Sequence, residues 1–189
     1  ENFGGKQYLK KITLTPEDLW LDLGAHIGAF AISIFKSVSE VWCFEPQPDN
    51  FRLLEKNLAK NKATNVTAYP HAAVGNQDKT RPLNSHHGKN TGSHSFLPIR
   101  GRTSKPVTCQ NINDIIEDLK PNKIKLDVEG AEVEILSAIT DWSDIEEVIM
   151  EFHLEQLKDI NREMFDSILM LLHGEGFSTD FTPVNNFKR

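Results

Sequence analysis

The sequence predicts an α/β fold built on a doubly wound, mostly parallel sheet. Two observations carry that prediction. Short apolar runs alternate along the chain with segments of helical period, and right-handed crossovers between such strands lay helices on both faces of one sheet. Several runs are also apolar on both faces, as strands covered from both sides must be. A sheet of this kind binds ligands outside the carboxyl ends of its strands, so chemistry is expected just after a strand. The 189 residues suffice for one domain with a core, and a single domain over residues 1–189 is the expectation.

The elements follow in order. DLWLDLG reads as a buried strand ending at Gly24, and GAFAISIFKSV as the mostly apolar helix after it. EVWCFEP is a second strand, stopped by Pro46. PDNFRLLEKNLAKN is an amphipathic helix with Phe51, Leu54 and Leu58 on one face; Pro48 suits its first turn and Asp49 the positive end of its dipole. NVTAYPHAAVG holds a third strand. A helix around residues 112–119 leads into a fourth, NKIKLDVEG, and AEVEILSAI is helical. IEEVIMEFH is a fifth strand, INREMFDSILMLLHGEG a helix stopped by Gly174 and Gly176, and FSTDFT a last strand. One segment breaks the rhythm. NSHHGKNTGSHS, residues 84–95, is rich in Gly, Ser, Asn and His and reads as a flexible excursion, either a lid or a plain surface loop. Its flanks TRPL and KPVTCQ are able to pair as short strands.

Composition narrows the function classes. The net charge of −6 provides no large nucleic-acid footprint. Cys43 and Cys109 are the only cysteines, which is no disulfide framework and fits a reducing compartment. No apolar run approaches membrane-spanning length. The cytoplasm is the expected location, with no membrane or nucleic-acid partner. ENFGG at the start reads as the remnant of a longer upstream segment or a free end.

At the first strand-to-helix junction, Asp22, Gly24 and Gly28 form Asp-x-Gly-x-x-x-Gly. A dinucleotide fingerprint needs a second glycine where His26 stands. Glu45 ends the second strand, 23 positions after Asp22, where a carboxylate accepts hydrogen bonds from vicinal ribose hydroxyls. The pair points to an adenosine ligand with a ribose but no pyrophosphate. Asp22 has a second reading, as a residue that caps the turn.

KLDVEGAEVEIL, residues 125–136, is the most acidic stretch near a strand end. In a central parallel strand, Lys125, Asp127 and Glu129 are costly unless paired or facing a cleft. Asp127 and Glu129 are therefore functional candidates, and Lys125 is a structural partner for Asp127 or another carboxylate. Glu132 divides between capping the following helix and facing the cleft; Glu134 is read as solvated. In VIMEFH, Glu151 and His153 point to one side, and His153 is placed to reach the same cleft.

Together, Asp22-x-Gly24-x-x-x-Gly28, FEPQPDNFRLLEKNL, KLDVEGAEVEIL and VIMEFH occur in the order that resembles FkbM-type S-adenosylmethionine-dependent methyltransferases, over residues 19–153. The resemblance implies a Rossmann-like class I methyltransferase fold. It implies that Asp22, Gly24, Ala25 and Gly28 line the methionine end of S-adenosylmethionine and that Glu45 binds its ribose. It places Pro46 and Asn50 near ribose and adenine, and His71 and Ala72 where adenine is contacted; an exposed loop histidine is the other reading of His71. It implies O-methylation of a hydroxyl on a sugar, glycan or small natural product. Class I methyltransferases usually close with an antiparallel hairpin, whereas only PVNNFKR follows FSTDFT here, so the strand count stays open.

Methyl transfer to a hydroxyl requires a proton acceptor. His153 is matched to neutral pH, since an unperturbed imidazole titrates near 6.5. Asp127 or Glu129 then orients it or the substrate. A divalent cation held by the two carboxylates ranks second. His86, His87 and His94 on the excursion are further acceptor-side candidates. A nicotinamide-dependent oxidoreductase and a non-catalytic adenosine-ligand binder are the competing functions, and the sequence leaves the oligomeric state open.

Overall fold

The computed structural model describes residues 12–85, 95–96, 103–151 and 162–180. Among them, five strands form the central sheet: β1 (Leu19–Leu23), β2 (Glu40–Phe44), β3 (Val66–Tyr69), β7 (Lys123–Leu126) and β8 (Glu147–Met150). Their order is β3-β2-β1-β7-β8, and every neighbouring pair is parallel. The helices are α1 (Ala29–Ile34), α2 (Pro48–Asn61), α3 (Ile112–Leu119), α4 (Glu132–Ala138) and α5 (Arg162–Gly174).

Successive strand residues face opposite sides of the sheet, so two cores form. Leu21, Leu23, Phe44, Ile124 and Leu126 pack with α3, α4 and α5 on one face. Trp20, Val41 and Cys43 pack with α1 and α2 on the other. Full burial of each large apolar side chain contributes about 1.5–3 kcal/mol, so these alternating strand positions dominate the fold's stability. The doubly wound parallel sheet expected from the sequence is the one observed.

Details depart from expectation. The third strand is two strands: β3 ends at Tyr69, and β4 (Ala72–Val74) joins a second sheet. Pro70 lies between them, and a proline has no N–H to continue a ladder. The second sheet runs β4-β6-β5, with β5 (Thr80–Ser85) and β6 (Thr103–Asn111) antiparallel, so TRPL and KPVTCQ do pair. Helix α1 stops at Ile34 instead of continuing to Val38; the Ser37-Val38-Ser39 run disfavours helix, and β2 must begin at Glu40. Residues 177–180 of FSTDFT form no strand. There the chain leaves α5 through the left-handed Gly176, and Phe177 turns inward to stack edge-on against Trp142. Residues 181–182 of that run lie outside the described residues. Of the excursion, residues 86–94 lie outside the described residues, while Ser95 returns to pair with Asn84. No described helix is long and apolar enough to cross a membrane.

Candidate active site

Each candidate side chain on the central sheet sits one step beyond a strand, held by a last rung of the ladder. Gly24 N–H donates to Phe44 O (3.0 Å), Glu45 N–H to Tyr69 O (3.1 Å), Asp127 N–H to Leu23 O (3.0 Å) and Glu151 N–H to Leu126 O (3.0 Å). Four neighbouring strands therefore deliver Gly24, Glu45, Asp127 and Glu151 to one cleft of about 220 Å³. Pro46, Asn50, Ala72 and Glu129 line the same cleft, as do His26, Phe44, Val128, Leu83 and Phe96.

Glu45 is 5% exposed. Its carboxylate accepts the backbone N–H groups of His26 (2.8 Å) and Gln47 (2.9 Å). Burial pushes its pKa up to about 7, against the opposing pull of those two N–H donors, of Asn50 and of Lys125. The acid is fixed in place yet poised near neutrality. Asn50 lies in the first turn of α2, which Gln47 caps by accepting the Asn50 N–H (2.6 Å), with Pro48 at the helix start.

Asp22 lies beneath the cleft, not on its wall. It is fully buried and accepts a hydrogen bond from Lys125 Nζ at 2.9 Å. Lys125 also donates to Gly24 O (3.2 Å) and lies 3.9 Å from Asp127. Burial works against the Lys125 charge, but the carboxylates of Asp22 and Asp127 more than offset it and hold the ammonium above its ordinary range. Burial raises the Asp22 pKa, which Lys125 offsets only in part. The lysine expected to be a structural partner is one, and its principal partner is Asp22.

Gly24 and Gly28 have left-handed backbones (φ +77° and +84°). A Cβ on Gly24 would lie 1.9 Å from Asp127 O, and one on Gly28 would lie 2.5 Å from Leu54 Cδ1. The space left by both glycines is filled by neighbouring protein. Ala25 is buried beside them, and neither Ala25 nor Gly28 reaches the cleft lining. His71 stands at the break between β3 and β4, off the lining, and its Nδ1 is buried without a hydrogen-bond partner.

At the end of β7, Glu129 adopts φ +54°, and its carbonyl accepts Ser95 Oγ–H at 2.6 Å. Glu132 is buried and its carboxylate accepts the Gly130 N–H (3.0 Å), a local role that fixes the turn into α4. Glu134 is not merely solvated. It accepts two hydrogen bonds from Arg81 (2.7 and 2.8 Å) and one from Gly75 N–H (3.0 Å), which ties α4 to the second sheet. His153, His86, His87 and His94 lie outside the described residues. Among the described residues, no three His, Cys, Asp or Glu side chains gather as a metal site would.

Sequence reasoning passed over His26, Glu151, Leu83 and Phe96. The strand alternation that picked out His153 also marks Glu151, and position alone marks His26 in the glycine turn. Leu83 and Phe96 come from the second sheet and its excursion, where no periodic pattern points at the cleft.

Comparison with known proteins agrees with this geometry. The model of the methyltransferase FkbM domain matches residues 22–179. The chain is 28% identical to the hexuronic acid methyltransferase AglP of Haloferax volcanii over 174 residues, covering 89% of this chain and 67% of the relative. It is 24% identical to Methyltransferase 1 of Beauveria bassiana, covering 72% of this chain and 65% of that one. The chain thus spans about two thirds of the length of these relatives. The fold matches the crystal structure of methyltransferase FkbM from Methylobacillus flagellatus (TM-score 0.57, 21% identity, 87% of this chain, 39% of that one). It also matches a precorrin-6y C5,15-methyltransferase of Geobacter metallireducens (TM-score 0.53, 16% identity, 91% and 69%). With a family match across most of its length and the parallel-sheet cleft in place, the chain belongs to the FkbM methyltransferase family.

Proposed function

We propose that residues 1–189 act as one S-adenosylmethionine-binding domain that methylates a hydroxyl of a sugar, glycan or small natural product. The observation that carries this reading is Glu45: a buried carboxylate at a parallel strand end, pinned by two N–H donors, on a cleft wall beside the glycine turn. The lining fits an adenosine group, because the acid stands beside apolar Phe44, Pro46 and Ala72. The hexuronic acid methyltransferase among the relatives supports a sugar acceptor.

S-adenosylmethionine, when bound, supplies a methyl group already activated on a sulfonium. The chain's own work is to position, to exclude water and to take a proton. Glu45 would accept hydrogen bonds from the ribose hydroxyls, with Pro46, Asn50, His71 and Ala72 around ribose and adenine. Gly24, Ala25 and Gly28 would shape the methionine end, and Asp22 would act on it through Lys125. Asp127 and Glu129 would orient the acceptor hydroxyl, and His153 would receive its proton. Replacing His153 with Ala is expected to slow turnover more than it weakens cofactor binding; wild-type turnover would remove it as the base.

Calorimetry with S-adenosylhomocysteine and with NAD tests the cofactor. Binding of the first and not the second is expected, and the reverse result would replace this reading with the nicotinamide one. Mass spectrometry of a panel of glycans and hydroxylated metabolites tests the transfer. Binding without methylation of any acceptor would favour a non-catalytic adenosine-ligand binder.

A further inference from the structure

The cleft has one wall that the central sheet does not supply. Phe96 and Leu83 line it from the second sheet and the excursion, and both are hydrophobic. Phe96 is held on three sides. Arg81 lies over its ring, with the guanidinium carbon 5.5 Å from the centroid. Arg81 is itself fixed by the two hydrogen bonds to Glu134 and by one to Asp78 (2.8 Å). The preceding residue, Ser95, is fully buried, hydrogen-bonds the Glu129 carbonyl and pairs with Asn84 on β5. Phe96 packs, half-buried, against both the main core and the small core of the second sheet.

These anchors locate Phe96 on the acceptor side. Glu129 follows β7 and Glu134 lies on α4, the next element after it. Glu45 follows β2, and the order β2-β1-β7 puts two strand spacings, about 10 Å, between the two ends. An aromatic face opposite hydrogen-bonding carboxylates suits a molecule with one apolar face and a polar rim. A hydroxylated ring has that shape, and an open-chain polyol does not.

We propose that Phe96 is the platform on which a ring-shaped hydroxyl acceptor lies, with Arg81 and Ser95 as the positioning residues that hold it. This rests on the methyltransferase reading above and adds the acceptor's shape and the residue that selects it.

The test uses the full chain, S-adenosylhomocysteine, a set of methyl pyranosides and hexitols of the same carbon number. The wild type is expected to methylate pyranosides in preference to hexitols. Phe96→Ala is expected to lower kcat/KM for the pyranoside about tenfold, mainly through KM, and to erase the preference. Phe96→Tyr keeps the aromatic face and should restore both. Arg81→Lys should raise KM with an unchanged dissociation constant for S-adenosylhomocysteine. A tenfold loss of S-adenosylhomocysteine affinity in Phe96→Ala would overturn the proposal by moving Phe96 to the cofactor side. Unchanged acceptor kinetics in that variant, or equal wild-type rates on rings and hexitols, would also overturn it. A wild type that binds S-adenosylhomocysteine but methylates no pyranoside overturns the ring-acceptor assignment alone. A wild type that does not bind it overturns the methyltransferase reading first.

Discussion

Glu45 and Glu129 both reach the cleft from the end of a parallel strand, yet they are held in different ways. The Glu45 side chain is fixed by backbone N–H groups of its own turn and of the adjacent glycine turn. At Glu129 it is the backbone that is fixed, in a left-handed conformation, by a serine 34 positions away in sequence. One wall is assembled by strand pairing and local turns. The other depends on a segment that leaves the central sheet, runs through a second sheet and returns. The proposed cofactor wall should therefore be insensitive to changes in the excursion, and the proposed acceptor wall should not.

The largest effect is expected where the walls meet. Lys125 touches Asp22, the glycine turn and the neighbourhood of Asp127. Lys125→Met leaves Asp22 buried without its cation and should cost about 3–5 kcal/mol in chemical denaturation. The double variant Lys125→Met, Asp22→Asn should recover most of that loss. No recovery would mean that Lys125 acts through Gly24 and not through the charge.

A smaller effect, confined to one wall, is expected at Glu45. Glu45→Gln should weaken S-adenosylhomocysteine binding by roughly ten- to a hundredfold, the range for losing hydrogen bonds to a charged group. The acceptor KM should hold. The pKa near 7 sets the pH dependence. Ribose hydroxyls donate to the carboxylate, so wild-type affinity should climb as pH rises through about 7, with a proton released on binding below that pH. In the free protein the sign is opposite. A raised carboxyl pKa contributes stability below the ordinary carboxylate range and loses it as pH rises toward 7. The Gln variant should be flat in both measurements, and a retained pH dependence would move the titrating group elsewhere.

The smallest effect belongs to the second wall. Glu134→Gln weakens the tie to Arg81, but the Glu134 side chain is 38% exposed, so solvent screening limits the stability loss to about 1 kcal/mol or less. The acceptor KM should rise a few-fold while S-adenosylhomocysteine affinity stays constant. An equal loss of both would erase the distinction between the walls.

The same contrast explains what could be read from the sequence. Strand ends, the glycine turn and Glu45 are local signals: an apolar run, a turn residue, an acid at the carboxyl end. Lys125 was readable as a paired charge but not as the partner of Asp22, because strand register alone brings positions 103 apart within reach. Glu134 looked solvated because its partner Arg81 sits on β5, 53 positions away. Pro70 carried the signal for the break between β3 and β4, yet the apolar residues around it suggested one continuous strand. Ser95 and Phe96 had no period to betray them, since an irregular segment places its side chains by tertiary contact alone.

The missing carbon at Gly24 has a practical consequence for anyone recombining this protein with its relatives. The Asp127 carbonyl occupies the volume a side chain there would fill. A graft that exchanges acceptor specificity cannot begin at the obvious point, the end of β7, without also importing a backbone path that fits this turn. The workable junction lies after Asp127, at Val128–Glu129, together with residues 80–96 as one exchangeable unit. A chimera cut there inherits the old turn intact and receives its new wall as a whole.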